Sequence, residues 1–344
     1  GAFNAVIEAL SADEDVEGVF LGIVDGGQFR NQLGQMLPEH EGGVFETVTS
    51  GSRALSRFLQ DPNAPYQDEG KWGYWVNQAV WGTSKSIGNT AGYDVTGWGI
   101  SLGAEIETDA GNFGGSIAYL NGKDGNKANE NEVSSNQWEG ALHWRLRSGG
   151  FLANARVAGA PISLKGTRIS RAEAGAEDVE ETMRGKWDAK LYSASGSVAY
   201  DTQAGGFTIR PMVAVDYYKL KEDGYTETGG NGGLNLTDLH RGSDELAVSG
   251  TVAIGLEFGG ADEYDGWTRF ELEGGRRQIV SGMLGATTAS FKDGDPFILT
   301  PDDRTSGWVG RFRGVAGNSA FQIGGEISAG GQQSRMAWAI RAGL

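Results

Sequence analysis

From about residue 70 onward apolar residues recur at every second position, and this period constrains the fold more than any other feature of the chain. The clearest run is Leu246 to Phe258. Leu246, Val248, Val252, Ile254, Leu256 and Phe258 share one face, and Ala247, Ser249, Thr251, Ala253, Gly255 and Glu257 share the other. Trp138, Leu142, Trp144 and Leu146 oppose Gln137, Glu139, His143, Arg145 and Arg147. Phe207, Ile209, Val213, Val215 and Tyr217 oppose Thr208, Arg210 and Asp216, and Phe270 and Leu272 oppose Arg269, Glu271 and Glu273. Phe321, Ile323 and Ile327 stand against Gln322, Glu326 and Ser328. The last run sets Met336, Trp338, Ile340 and Leu344 against Arg341.

A soluble sandwich alternates in the same way. Three features favour a closed sheet in lipid. The polar face carries Arg and Glu in comparable number, Glu105 among them, as in a wet lumen. Aromatic residues sit toward strand ends (Trp72, Trp81, Tyr93, Trp138, Tyr217, Trp308), which fits interfacial girdles. Connections alternate in length: Ser148-Gly149-Gly150, Ala204-Gly205-Gly206 and Gly317-Asn318-Ser319 read as tight turns, whereas Gly122 to Glu132, Ala160 to Lys186, Glu222 to Ser243 and Ser281 to Thr305 read as long polar loops. The expected fold is all-β, an antiparallel transmembrane β-barrel of about twelve strands over residues 70–344.

Composition agrees. The chain has 344 residues, 57 of them glycine, without the three-residue period of collagen. With no cysteine, a disulfide framework and a thiolate zinc site are excluded. A formal net charge of −16 excludes a basic nucleic-acid-binding surface. The mean hydropathy of −0.36 and the lack of an apolar run of roughly 18 residues exclude a membrane helix but not a barrel, whose alternation hides it from a hydropathy window. Gly1 opens without the basic and apolar regions of a signal peptide, which predicts an internal fragment or a trimmed N-terminus.

Residues 1–42 read as short amphipathic helices of a linker. Ser11 and Glu14 form a capping box, Gly26-Gly27 stop the second helix, and Phe29, Leu33, Met36 and Leu37 mark a third. The stretch Val44 to Gln60, within residues 43–62, is different. Val44, Val48, Leu55 and Leu59 lie near one helical face, and the opposite side is small and polar: Thr47, Ser50, Gly51, Ser52, Ala54, Ser56. Such a helix suits a narrow polar tube, with Arg53 and Arg57 set to pair with lumen carboxylates among Glu105, Glu139, Glu257, Glu271 and Glu273. Asp61-Pro62 ends it.

Catalytic and metal motifs are weak. Gly99-Ile100-Ser101-Leu102-Gly103 matches a nucleophile elbow, but it falls inside an alternating run with no following helix. Asp293, Asp295, Asp302 and Asp303 lack the spacing of a calcium loop. His143 projects into the lumen without an evident partner. No catalytic residue, cofactor or metal is expected.

The segment LPEHEGGVFETVTSGSRALSRFL, the first strand GKWGYWVNQAVWG, the following GNTAGYDVTGWGISLGAEIET and GNFGGSIAYLNG, and the terminal RMAWAIRAGL resemble the C-terminal translocator domain of a type V autotransporter, over residues 37–344. The resemblance implies a twelve-stranded barrel in the outer membrane of a Gram-negative bacterium. It implies a helix through the pore that joins the barrel to an exported passenger. It further implies partners in the outer-membrane lipid, the chain's own passenger, and the barrel-assembly machinery that reads the terminal strand Met336, Trp338, Ile340, Leu344. Two departures stand out. The chain ends at Leu344 rather than an aromatic residue, and the helix has no asparagine, so self-cleavage is not carried over. The expected function is passenger export with the helix left as a plug. An outer-membrane solute channel, or a barrel hydrolase, is the alternative.

Overall fold

The computed structural model describes residues 4–5, 25–59, 71–86, 92–126, 131–174, 177–230, 233–259, 266–304, 306–318, 321–330 and 333–343. Among them twelve long strands follow one another: β1 (Trp72–Lys85), β2 (Tyr93–Thr108), β3 (Gly111–Asn126), β4 (Glu132–Ser148), β5 (Phe151–Ala174) and β6 (Glu177–Tyr200), then β7 (Phe207–Glu222), β8 (Arg241–Gly259), β9 (Trp267–Ser281), β10 (Gly307–Gly317), β11 (Phe321–Gly330) and β12 (Gln333–Gly343). Each pairs antiparallel with its neighbour in sequence. The ring closes where β1 meets β12, with Trp75 opposite Gly343 and Trp81 opposite Ala337. No described helix is long and apolar enough to cross a membrane.

Closure turns the two-residue period into an inside and an outside. On β1, Trp75, Asn77, Ala79, Trp81 and Thr83 are buried toward the lumen, while Trp72, Tyr74, Val76 and Val80 are exposed outward. The outer face carries Ile117, Leu142, Val157, Val213, Ile254 and Leu272, all exposed as lipid contact requires. Trp98, Tyr119 and Trp138 form a continuous aromatic row across β2–β4, with ring centroids 5.9 and 5.1 Å apart. Exposed Trp72, Phe151, Tyr200, Phe207 and Phe258 mark the opposite rim. Two of the expected girdle residues face inward instead: Trp81 is 6% exposed and Tyr93 3%. Trp81 is nine positions from Trp72 on an unbroken strand, and an odd separation puts the two on opposite faces.

The turns at 109–110, 149–150 and 205–206 gather at one rim. Gly149 and Gly205 adopt φ of 57° and 59°, the left-handed backbone that glycine tolerates. At the other rim the structure departs from the sequence reading. Ala160–Lys186, expected as a polar loop, lies within β5 and β6, which reach 24 residues each. Its alternation had continued beneath the acidic composition: Ile162, Leu164 and Met183 are buried inside, between outward polar residues. The long connections after β7 and β9 are also structured. Tyr225–Thr226, Leu236–Asp238, Thr287–Phe291 and Phe297–Leu299 form a four-stranded sheet over the long-loop mouth.

Helix α1 (Gly26–Gln35) docks on this cap, and Gly26 and Gly27 open it rather than only closing a preceding helix. Met36 with Leu33 and Leu37 packs on Leu234, Leu236, Phe291 and Phe297. Buried Arg168 ties the layers together, with its guanidinium on Glu227 at 2.5 Å and on the carbonyls of Leu234 and Met36 at 2.6 and 3.1 Å. The capping box Ser11/Glu14 lies outside the described residues.

Burial pushes the Asp238 carboxyl of this cap up to about 6; the Tyr225 hydroxyl opposes the rise, Glu227 adds to it, and Arg241 and Arg168 oppose it. A carboxyl raised on folding contributes stability below its unfolded value of roughly 3.9, and this stability is lost as the pH climbs through the folded value. Asp238→Asn is therefore expected to stabilise the cap at pH 7.5 by on the order of 2 kcal/mol. Hydrogen exchange of residues 225–238, corrected for intrinsic rates, should show slower opening in the variant at pH 7.5 and no difference near pH 4.

Candidate functional site: the filled lumen

Helix α2 (Gly43–Leu59) occupies the barrel interior. Its N-terminus lies at the long-loop mouth, where Glu39 caps it: the carboxylate accepts the amides of Gly42 and Gly43 at 2.8 and 2.9 Å. Arg241 holds Glu39 in place at 3.0 Å and also binds Glu222 at 2.9 Å. Burial works to raise the Glu39 carboxyl, but the Arg241 guanidinium, His40 and the Gly42 amide together outweigh it and leave the group below the ordinary carboxylate range. The C-terminus points toward the short-turn rim, from which β1 starts. The helix orientation is thereby set.

The sequence explains the fit. Val44, Phe45 and Val48 pack into an apolar upper lumen of Ile162, Leu164, Trp187, Leu191, Tyr218 and Leu220. This is unlike the polar lumen expected from strand alternation: at this height the inward positions of β5, β6 and β7 carry apolar and aromatic side chains. Leu55 packs lower, with Ala79, Trp81, Ala118 and Leu120. The small polar face meets strand hydroxyls. Ser56 Oγ lies 2.7 Å from Ser195 Oγ, and Ser52 Oγ lies 3.4 Å from Ser193 Oγ and 3.3 Å from the Arg156 guanidinium. Thr47 and Thr49 donate back to the carbonyls of Gly43 and Phe45 at 2.8 and 2.7 Å, which satisfies both buried hydroxyls. Gly51 is required by space: a Cβ there would lie 2.8 Å from the Trp81 ring. Trp81 in turn lies over Gly97 of β2.

Two charge clusters hold the helix. At the upper one, Arg53 reaches Glu46 of its own helix at 3.1 Å and Glu245 of β8 at 3.0 Å. Arg304, folded in from the loop after β9, also bridges Glu46 and Glu245, and Arg277 adds a third cation on Glu245 at 2.7 Å. The Arg53 guanidinium lies 4.6 Å over the Tyr218 ring, and that of Arg304 5.0 Å over Phe45. At the lower cluster, Arg57 meets Glu326 at 2.5 Å and Glu273 at 3.7 Å, and Arg311 completes it on Glu273 at 2.5 Å. A cavity of about 100 Å³ remains between this side of the helix and the wall, lined by Arg53, Arg57, Asp216, Arg277, Arg311 and Glu326.

Of the carboxylates proposed for Arg53 and Arg57, only Glu273 meets either. Glu105 binds Arg145, Glu139 binds Arg156 at 2.5 Å, and Glu271 binds Arg210, Arg269 and Arg313. Glu257 lies at the turn rim, 3.8 Å from Arg269. The structure thus sorts the lumen charges into wall pairs, which neutralise the strands among themselves, and helix pairs. Glu245 and Glu326 fall on inward positions by alternation alone, but their height along the pore depends on register. His143 has a partner after all: its Nε2 lies 3.3 Å from Glu105 Oε2, beside the Trp75 ring. Leu59 ends α2, and Arg341, Met336, Trp338 and Ile340 lie on β12, whose register puts Trp338 opposite Val80 and Arg341 opposite Asn77. Leu344 lies outside the described residues.

Ser101 sits in mid-strand on β2, paired on both sides, without the sharp turn a nucleophile elbow needs. Asp302 accepts Lys85 at 2.9 Å, and among the described residues no group of three or more His, Asp or Glu is arranged to hold a metal.

Removing one partner of a buried charge cluster costs about 3–5 kcal/mol, because the remaining charges stay buried without compensation. Glu245 is shared by Arg53, Arg277 and Arg304, so Glu245→Gln should loosen the helix by about this amount. In planar bilayers the variant is expected to open frequently where the unaltered barrel stays closed, and Lys123→Gln at the outer surface should leave gating unchanged.

Comparison with known proteins places this geometry among related barrels. The family model for the autotransporter beta-domain matches residues 75–327. The chain is similar in structure to the translocator domain of the autotransporter NalP from Neisseria meningitidis, with a TM-score of 0.62 at 12% identity over 89% of this chain and 98% of that one. It is also similar to the beta domain of the Bordetella autotransporter BrkA, with a TM-score of 0.50 at 14% identity over 79% and 97% of the two chains. No curated protein matches the chain by sequence.

Proposed function

Because this chain belongs to the autotransporter beta-domain family, whose barrels lie in the Gram-negative outer membrane, we propose that α2 is the trailing end of an exported passenger and the plug that remains when export is complete. The direction of the helix carries this reading. Short turns of outer-membrane barrels face the periplasm and long loops face outside. The chain leading into β1 therefore enters from the periplasmic side, and the residues before Gly43 emerge at the cell surface, where α1 docks on the cap. A polypeptide in transit through lipid would leave backbone groups unsatisfied at several kcal/mol each; a lumen lined by Glu and Arg offers them a water-like path.

The reading divides the chain into a passenger-proximal linker (1–42), a pore segment (43–62) and the barrel (70–344). The lumen carboxylates then act as acceptors for the helix arginines once transit ends. Met336, Trp338 and Ile340 lie on β12, the strand that closes the ring against β1, and in this reading that terminal strand is the assembly signal read by the barrel-assembly machinery. The lumen charges are structural, and the domain performs transport without catalysis.

The test is surface display. A protease-sensitive tag placed before residue 1, behind a secretion signal, should be cut by protease added to intact cells. A tag that is protected until the outer membrane is opened would overturn the proposal in favour of a solute channel.

A further inference from the structure

The chain carries a net charge of −16, yet one part of its outer surface is cationic. Lys165 on β5, Arg184, Lys186 and Lys190 on β6, and Lys219 and Lys221 on β7 are all exposed and lie on outward-facing positions. The strand register gathers them: Lys165 is opposite Lys186, and Lys190 is opposite Lys221. Like charges placed directly opposite each other destabilise a sheet. Among the described residues none of the six forms an ion pair. The acids on this face include Asp188, which accepts the Ser163 hydroxyl at 3.1 Å, Asp244, which lies opposite Lys219, Asp223, exposed just beyond β7, and Glu180, which is paired with Arg171 at 2.8 Å.

The height of the patch is as informative as its charge. Tyr192 lies one outward step after Lys190 on β6, and Tyr217 one outward step before Lys219 on β7. Two residues along a strand span roughly 7 Å. The outer surface therefore passes from apolar belt to aromatic to lysine within about one headgroup layer, on the side of the long loops. Lysine on such a surface attracts phosphate as a point charge.

We propose that this β5–β7 face binds the phosphate groups of outer-leaflet lipid headgroups, so that a phosphorylated glycolipid sits against the extended β5–β6 hairpin. The proposal rests on the outer-membrane placement of the barrel and not on passenger export.

The full chain, refolded in detergent, is titrated with lipid A carrying its phosphates, with the same lipid after dephosphorylation, and with inorganic phosphate. Heat-modifiable mobility checks folding. The phosphorylated lipid is expected to bind at least ~10-fold more tightly than the dephosphorylated one, with a preference that shrinks as salt is added. The variant Lys165→Gln/Lys190→Gln/Lys219→Gln/Lys221→Gln should lose most of this preference, and Lys123→Gln on β3 should keep it. Equal affinity for the two lipids, or a preference untouched in the folded quadruple variant, overturns the proposal. Competition by inorganic phosphate at concentrations similar to the lipid overturns it too, since the patch would then be a small-anion site. Should the quadruple variant not fold, the two-lipid comparison on the unaltered chain decides.

Discussion

Inside a bilayer each backbone N–H and C=O must find its partner within the protein, and the pairing of β1 with β12 is what allows this sheet to meet that demand. Without it both strands would present unpaired edges to lipid. With it the sheet has an interior, and alternation becomes a division of labour: apolar residues outward, Glu and Arg inward. The interior then has to be filled or left open. Here α2 fills it, and the short side chains of that helix are the consequence of having a strand wall on every side.

The helix is held by geometry and charge acting at different heights. Near the mouth it is packed as a core element, with Phe45 and Val48 against Trp187, Tyr218 and Leu220. Lower down it is a polar object in a polar tube, where Ser52 and Ser56 meet Ser193 and Ser195. Arg53 and Arg57 fix it to the wall through Glu245, Glu326 and Glu273. Buried ion pairs add little net stability but are strongly specific about position, which suits a helix that must stop at one depth. The loop after β9 contributes by sending Arg304 inward, so the closed mouth and the seated helix depend on the same carboxylates, Glu46 and Glu245.

Much of this was legible in the sequence, because period-two alternation and the contrast between glycine turns and long loops are local signals. The strand count and the one unusual helix follow from them. What failed did so for physical reasons. Trp81 and Tyr93 read as girdle residues on composition, although parity along β1 argues otherwise for Trp81. Residues 160–186 read as a loop because they are polar and acidic, yet Ile162, Leu164 and Met183 keep the alternation. The partners of Arg53 and Arg57 could not be read at all. A carboxylate's inward direction is local, but its height in the pore depends on the stagger of twelve strands, and Glu245 and Glu326 become neighbours of the helix only once that stagger is set.

The central claim is that α2 lies against β6 inside the membrane-inserted barrel. The chain has no cysteine, and Ser56 and Ser195 hold their hydroxyls 2.7 Å apart, within reach of a disulfide. In a Ser56→Cys/Ser195→Cys variant with a protease site between residues 60 and 71, cutting should release the helix segment only after reduction. Release without reductant, with both thiols still titratable in the folded barrel, would contradict the account.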